Sequence, residues 1–239
     1  MIVSYVNRLK EATLSATNEN INSPVTYLIH NFLELAFHAD DNDTEITIEF
    51  DESFSIDHIA FDYHNLDGMT IEFYNIFDIL LHTEVITVEE NCNFHTFDTI
   101  ENVRTIIISC NTYANNLYIG GISMGEYFEF PNFRQSLRGE IIIGGTLNIS
   151  PGGQASGNMF KNLKPYTLNF AFKNNTERIA IETYLEYIKK TPHFINFYEN
   201  GHDYFKPFYG CITNSKVPMN KREIATWDWD FSLTYQEVR

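Results

Sequence analysis

The stretch Ser55–Asn75, SIDHIAFDYHNLDGMTIEFYN, decides how the chain is read. It resolves into two strands joined by a polar corner. Ile56, Ile59 and Phe61 stand before the corner, and Met69, Ile71 and Phe73 after it. Asn65, Asp67 and Gly68 supply the corner, because Asn and Asp bond their own backbone and Gly tolerates positive φ. The stretch offers neither a nucleophile with its base nor a ligand cluster, so it reads as a building block.

Working outward, the same pattern repeats. Phe32–Phe37, FLELAF, is a candidate strand, and Glu45–Phe50, EITIEF, alternates cleanly. Val103–Ser109, VRTIIIS, is the most apolar strand of the set, and Leu117–Phe130, LYIGGISMGEYFEF, reads as a hairpin with glycines at its bend. Short strands with turn signals about every ten residues predict an all-β jelly-roll sandwich. We place it at residues 1–135.

The remainder, residues 136–239, changes character. Arg138–Gly157 holds an Ile-rich strand and then SPGGQASG, a reversal. Tyr166–Phe172 alternates as a strand. Asn174 and Glu177 have the capping-box spacing, and Ile181, Tyr184, Leu185 and Ile188 form one helical stripe. Lys189 and Lys190 suit the end of that helix, and Pro192 stops it. Asn200-Gly201 marks a hairpin, and Trp227, Trp229, Phe231, Leu233 and Tyr235 alternate with polar residues. The order β-α-β-β-β predicts a small α+β domain, one helix on an antiparallel sheet. The class is therefore mainly β.

Composition agrees. The 239 residues are 44% hydrophobic, with 20 Phe and 14 Tyr against 2 Trp, a bias that suits pleated surfaces. A formal net charge of −16 repels phosphate backbones and anionic membranes, arguing against nucleic-acid binding and membrane docking. No run reaches the length of a membrane-spanning helix, and the N-terminus shows no leader pattern. Cys92, Cys110 and Cys211 are widely spaced and read as buried thiols made in a reducing cytoplasm.

Candidate chemistry is sparse. Gly121-Ile122-Ser123-Met124-Gly125 matches the nucleophile-elbow pattern, but an alternating strand follows Ser123 where that elbow needs a helix. His58, Asp62 and His64 share strand parity and could converge on a metal, although strand histidines are more often hydrogen-bonded or exposed. Asp40, Asp41 and Asp43 could hold a structural Ca²⁺, although EF-hand spacing is missing and acidic turns are usually solvated. Glu89-Glu90 reads as a solvated edge. Tyr113, Tyr118 and Tyr127, near expected bends, are the candidates for an interaction surface. We expect no enzyme and no cofactor.

These pieces resemble a known pattern. ATLSATNENINSPVTYL, then TEITIEF, then IDHIAFDYHNL, is similar to the galactose-binding-like (discoidin, F5/8 type C) sandwich found in bacteriophage structural proteins. YIGGISMGEYFEFP resembles the late strand pair of those proteins. SPGGQASG, the helix ending in KKTPHFINFYE, and WDWDFSLTYQEV are similar to the domain that accompanies it in phage tail modules. Phe37 stands where the sandwich often carries tryptophan. The resemblance covers nearly the whole chain. It implies a structural component of the virion, in the tail or baseplate, assembled in the host cytoplasm as a homo-oligomer with other tail proteins. The alternative it implies is a glycan-binding module for host adsorption.

Overall fold

A computed structural model describes residues 1–29, 35–41, 43–88, 92–111, 116–130, 133–139, 145–149, 155–159, 165–172, 175–189, 191–196, 207–214, 217, 220–221 and 229–237. In chain order the strands begin with β1 (Ile2–Asn7), β2 (Ala12–Ala16), β3 (Phe37–His38) and β4 (Thr44–His64). They continue with β5 (Gly68–Tyr74), β6 (Leu80–Thr87), β7 (Cys92–Asn111) and β8 (Tyr118–Glu129). Then come β9 (Phe133–Gly139), β10 (Gly145–Ile149), β11 (Ala155–Met159), β12 (Pro165–Phe172) and the helix α1 (Asn175–Ile188). Last are β13 (His193–Asn196), β14 (Phe208–Ile212), β15 (Asn220–Lys221) and β16 (Trp229–Glu237). The fold is mainly β, as expected. Two compact units separate, Met1–Glu129 with His193–Tyr209, and Phe130–Pro192 with Gly210–Val238.

The first unit is a sandwich built on two long strands. Thr44–Glu49 of β4 pairs with the far end of β7, and His58–Asp62 pairs with its near end. Register shifts between Glu49 and His58 mark where β4 passes from one layer to the other. Asp51, Glu52 and Ser53 at that passage are exposed, so the bend sits where backbone groups reach water. One layer therefore runs β2-β4-β7-β5-β6, and the other runs β7-β4-β8-β1-β13. Between them lies a continuous core containing Ile46, Ile48, Phe50, Ile71, Phe73, Ile106 and Ile108, with Ile59, Phe61 and Met124 facing from the second layer.

The corner that opens the sequence reading joins these layers. β4 and β5 are not partners: β5 pairs with β6 and β7, so Asn65–Asp67 crosses from one sheet to the other. Leu66 is buried in the crossing. The Asn65 side chain donates to the Asn116 carbonyl at 2.7 Å and accepts from the Tyr118 N–H at 2.9 Å. Ile56, Ile59, Phe61, Met69, Ile71 and Phe73 are all buried. For the first three to be buried together the strand must shift phase, and its irregularity between Ile56 and His58 does this.

One expectation is corrected. Leu117–Phe130 is not a hairpin, because Tyr118–Glu129 is a single strand between β4 and β1. Gly125 answers a need for close backbone approach instead of a bend. Gly125 has φ +146°, and a Cβ there would stand 2.1 Å from the Val6 carbonyl oxygen. Phe32–Phe37 is the other difference: Phe37–His38 is a short strand on β8, and residues 30–34 lie outside the described residues.

In the second unit β16 pairs with β12, β15 and Gly210–Ile212 of β14, while β9 pairs with β12. Phe231, Leu233 and Tyr235 are buried, as the alternation predicts, and Trp227 lies outside the described residues. The helical stripe holds for Ile181, Tyr184 and Ile188, which are buried, while Leu185 is half-buried. Tyr184 meets Tyr235 hydroxyl to hydroxyl at 3.2 Å and packs edge-on against Phe130, fixing the helix on its sheet. Lys189 at φ +51° ends the helix; Asn174, the expected cap, and the Asn200-Gly201 tip lie outside the described residues. β10 and β11 pair antiparallel, and the SPGGQ reversal between them is likewise outside.

Candidate functional site

Three constellations could carry function, and the fold treats them differently. The first is buried. Ser123 of β8 lies 2.5 Å from Ser4 of β1, whose hydroxyl is 3.0 Å from His58 Nε2. The other ring nitrogen, Nδ1, faces the Gly125 carbonyl at 3.0 Å. A carbonyl only accepts, so the proton sits on Nδ1, and Nε2 accepts from Ser4. Phe94 stacks on the ring at 5.2 Å, and His58 is 0% exposed. The neighbouring Asp57 Oδ1 accepts from the Tyr127 N–H at 2.9 Å and lies 3.5 Å from His58 Nδ1. Residue types of a hydrolase are present, but neither the helix nor the solvent-facing turn of a nucleophile elbow is.

The two metal hypotheses separate in space. His58 is engaged as above, and His64 is turned to other work: its Nδ1 accepts from the Leu66 N–H at 3.1 Å and its Nε2 faces Asn93 at 3.2 Å. Asp62 accepts from the Tyr63 N–H at 2.7 Å. Asp40, Asp41 and Asp43 are exposed, and Asp40 accepts from Asn20 at 2.7 Å. Among the described residues no group of three His, Cys, Asp or Glu side chains is arranged to hold a metal ion.

The second constellation is an aromatic ledge at the corner. Tyr63, next to last in β4, has φ +52° and is 55% exposed, and its ring leans on that of Tyr118 at 5.4 Å. His38 of β3 flanks Tyr118 at 5.9 Å. Tyr127 stands at the other end of β8, half-buried, with its hydroxyl pushed up first by burial and then by Asp57. Tyr113 lies outside the described residues. The structure thus separates Tyr118 from Tyr127 and adds Tyr63 and His38.

The third was missed in the sequence, although the run Ile76–Leu81, IFDILL, carried its signal. The hairpin between β5 and β6 ends in a tight tip. Asn75 Oδ1 accepts from the Phe77 N–H at 2.9 Å and the Ile79 N–H at 3.1 Å, and Asp78 adopts φ +56°. These bonds leave the apolar side chains outside. Ile76 is 62% exposed, Phe77 78% and Val85 72%, and Ile79, Leu80 and Leu81 are exposed beside them. β6 is the end strand of its layer. The hairpin thus carries six exposed apolar side chains on a well-bonded frame.

No family model and no curated protein matches the chain. Among solved structures it is similar to a mutant of the lectin binding domain of Lectinolysin complexed with Lewis b, at 8% identity, covering 51% of this chain and 96% of that one, with a TM-score of 0.45. It is similar also to a Streptococcus pneumoniae fucose binding module, at 10% identity over 51% and 95% of the two chains, TM-score 0.44. A third is the family 32 CBM from C. perfringens NanJ in complex with galactose, at 17% identity over 54% and 100%, TM-score 0.44.

Proposed function

We propose that the chain is a non-catalytic assembly module, a structural component of a phage virion in the tail or baseplate region that mediates attachment of subunits or fibres. The observation that carries this is the β5–β6 hairpin, whose tip displays Ile76, Phe77 and Ile79 and whose outer strand displays Leu80, Leu81 and Val85. Exposed apolar surface of this extent is an aggregation liability in a protein that acts alone, and it is an asset in one that is covered by a partner. Supporting it are the motif order of the sequence and the burial of the Ser4, Ser123 and His58 cluster. The test is particle composition. Mass spectrometry of purified virions should find this chain, and Phe77→Ser should fold yet fail to incorporate. Absence from particles, or normal incorporation of Phe77→Ser, would count against the reading.

A second reading is favoured by the Tyr63–Tyr118 ledge. Aromatic faces at the loop end of a sandwich can stack against sugar rings. A glycan array should then show binding that Tyr118→Ala abolishes. No binding by the wild-type chain leaves the assembly role standing alone.

A further inference from the structure

We propose that β6 pairs with β6 of a second copy of this chain, antiparallel, about a two-fold axis at Thr83. This identifies the partner of one flank of the hairpin and rests on reading that hairpin as an assembly surface. Among the described residues β6 has one strand neighbour, β5, so its outer backbone groups form an open edge. An open edge extends most readily by strand addition, because each new N–H···O=C bond satisfies groups otherwise left to water.

The side chains select the occupant. In an antiparallel pair with Thr83 opposite itself, His82 stands opposite Glu84 of the second copy, and Glu84 opposite its His82. Within one chain these two already meet at 3.0 Å, His82 Nε2 to Glu84 Oε2. Joining two copies makes a ring of alternating imidazole and carboxylate in which no like groups face. The same register puts Leu81 opposite Val85 of the second copy, twice, covering the 72% exposed valine. A register one residue away would set His82 against Thr83 or Val85 and lose the match. Strand sequences that read as their own complement under a two-fold are what an isologous contact needs. Chains with a net charge of −16 repel each other at long range, so the local pairing has to be specific to succeed.

The test uses the full chain in analytical ultracentrifugation across a concentration series, with circular dichroism to confirm folding. Wild type should show a reversible monomer–dimer equilibrium. His82→Glu places carboxylates opposite one another at two symmetric positions and should weaken dimerisation about tenfold. The double variant His82→Glu with Glu84→His swaps the charges and should restore it to within about threefold. Hydrogen exchange of wild type should show β6 amides gaining protection as concentration rises, independent of any variant's folding. A strictly monomeric wild type, or β6 amides indifferent to concentration, overturns the proposal, as does a swap that fails to rescue while folded. The assembly reading is separable: it survives a monomeric chain if Phe77→Ser is still lost from particles.

Discussion

Ser4 and His58 are joined 3.0 Å apart, both buried, and Ser123 reaches the imidazole only through Ser4. A nucleophile needs its base in direct contact and a substrate within reach, and Ser123 has neither. Each hydroxyl instead satisfies a buried polar neighbour. Ser123→Ala removes one link while leaving Ser4 to donate to the imidazole. Its expected cost is about 1 kcal/mol of folding stability. Denaturant unfolding reads it. Covalent labelling of Ser123 by a fluorophosphonate probe in the native chain would sink the structural assignment.

Gly125 carries the strictest requirement in β8. Its φ of +146° excludes side chains, and the Val6 carbonyl occupies the space a Cβ would fill. A backbone oxygen cannot step aside as a flexible side chain can. Gly125→Ala should therefore destabilise the first unit by about 3 kcal/mol or more, where Gly68→Ala, with its neighbour at 3.1 Å, costs less. Equal unfolding midpoints for the two variants would show that the β1–β8 approach is softer than drawn.

Alkaline pH should loosen both units. Burial pushes the Cys110 thiol up to about 12 from an ordinary value near 9. The folded chain keeps that proton where the unfolded chain releases it, so the stabilisation is complete below pH 9 and lost as pH rises toward 12. Tyr184 and Tyr235, both raised by burial, add the same sign above pH 10. Each group contributes up to about 1.4 kcal/mol per pH unit in its window. Urea unfolding from pH 8 to 11 should show the decline, flatter in Cys110→Ala for the first unit. An unchanged slope in that variant would remove the thiol from the account.

Local pattern carried much of this architecture, and what it hid was long-range. Alternation located β4, β5, β16 and the stripe of α1, since each side chain's face follows from its own neighbours. Gly125 misled because its cause lies in Val6, more than a hundred residues away, and a local reading assigns such a glycine to a bend. The apolar run of the hairpin tip was visible in the sequence, but its exposure was not. An apolar run such as Ile76–Leu81 looks like core until the Asn75 turn is known to push it outward. Tyr118 was named from the sequence by its place near a bend, but Tyr63 and His38 meet it only across strands, which no local pattern shows.

Tyr63 offers the sharpest separation of stability from function. A bulky residue at φ +52° is held in a region that Asn or Gly occupies at lower cost, and its ring is more than half exposed. A residue kept for stability alone would not be placed so, because strain of this kind costs about 1 kcal/mol or more. Tyr63→Asn relieves the backbone while deleting the ring that leans on Tyr118. Its expected result is equal or higher stability in denaturant, together with loss of whatever the ledge contacts, read as glycan-array signal or as adsorption of particles carrying the variant. If Tyr63→Asn is markedly less stable, the Tyr63–Tyr118 contact is a packing element. If it is stable and every binding readout is unchanged, the ledge is bystander surface.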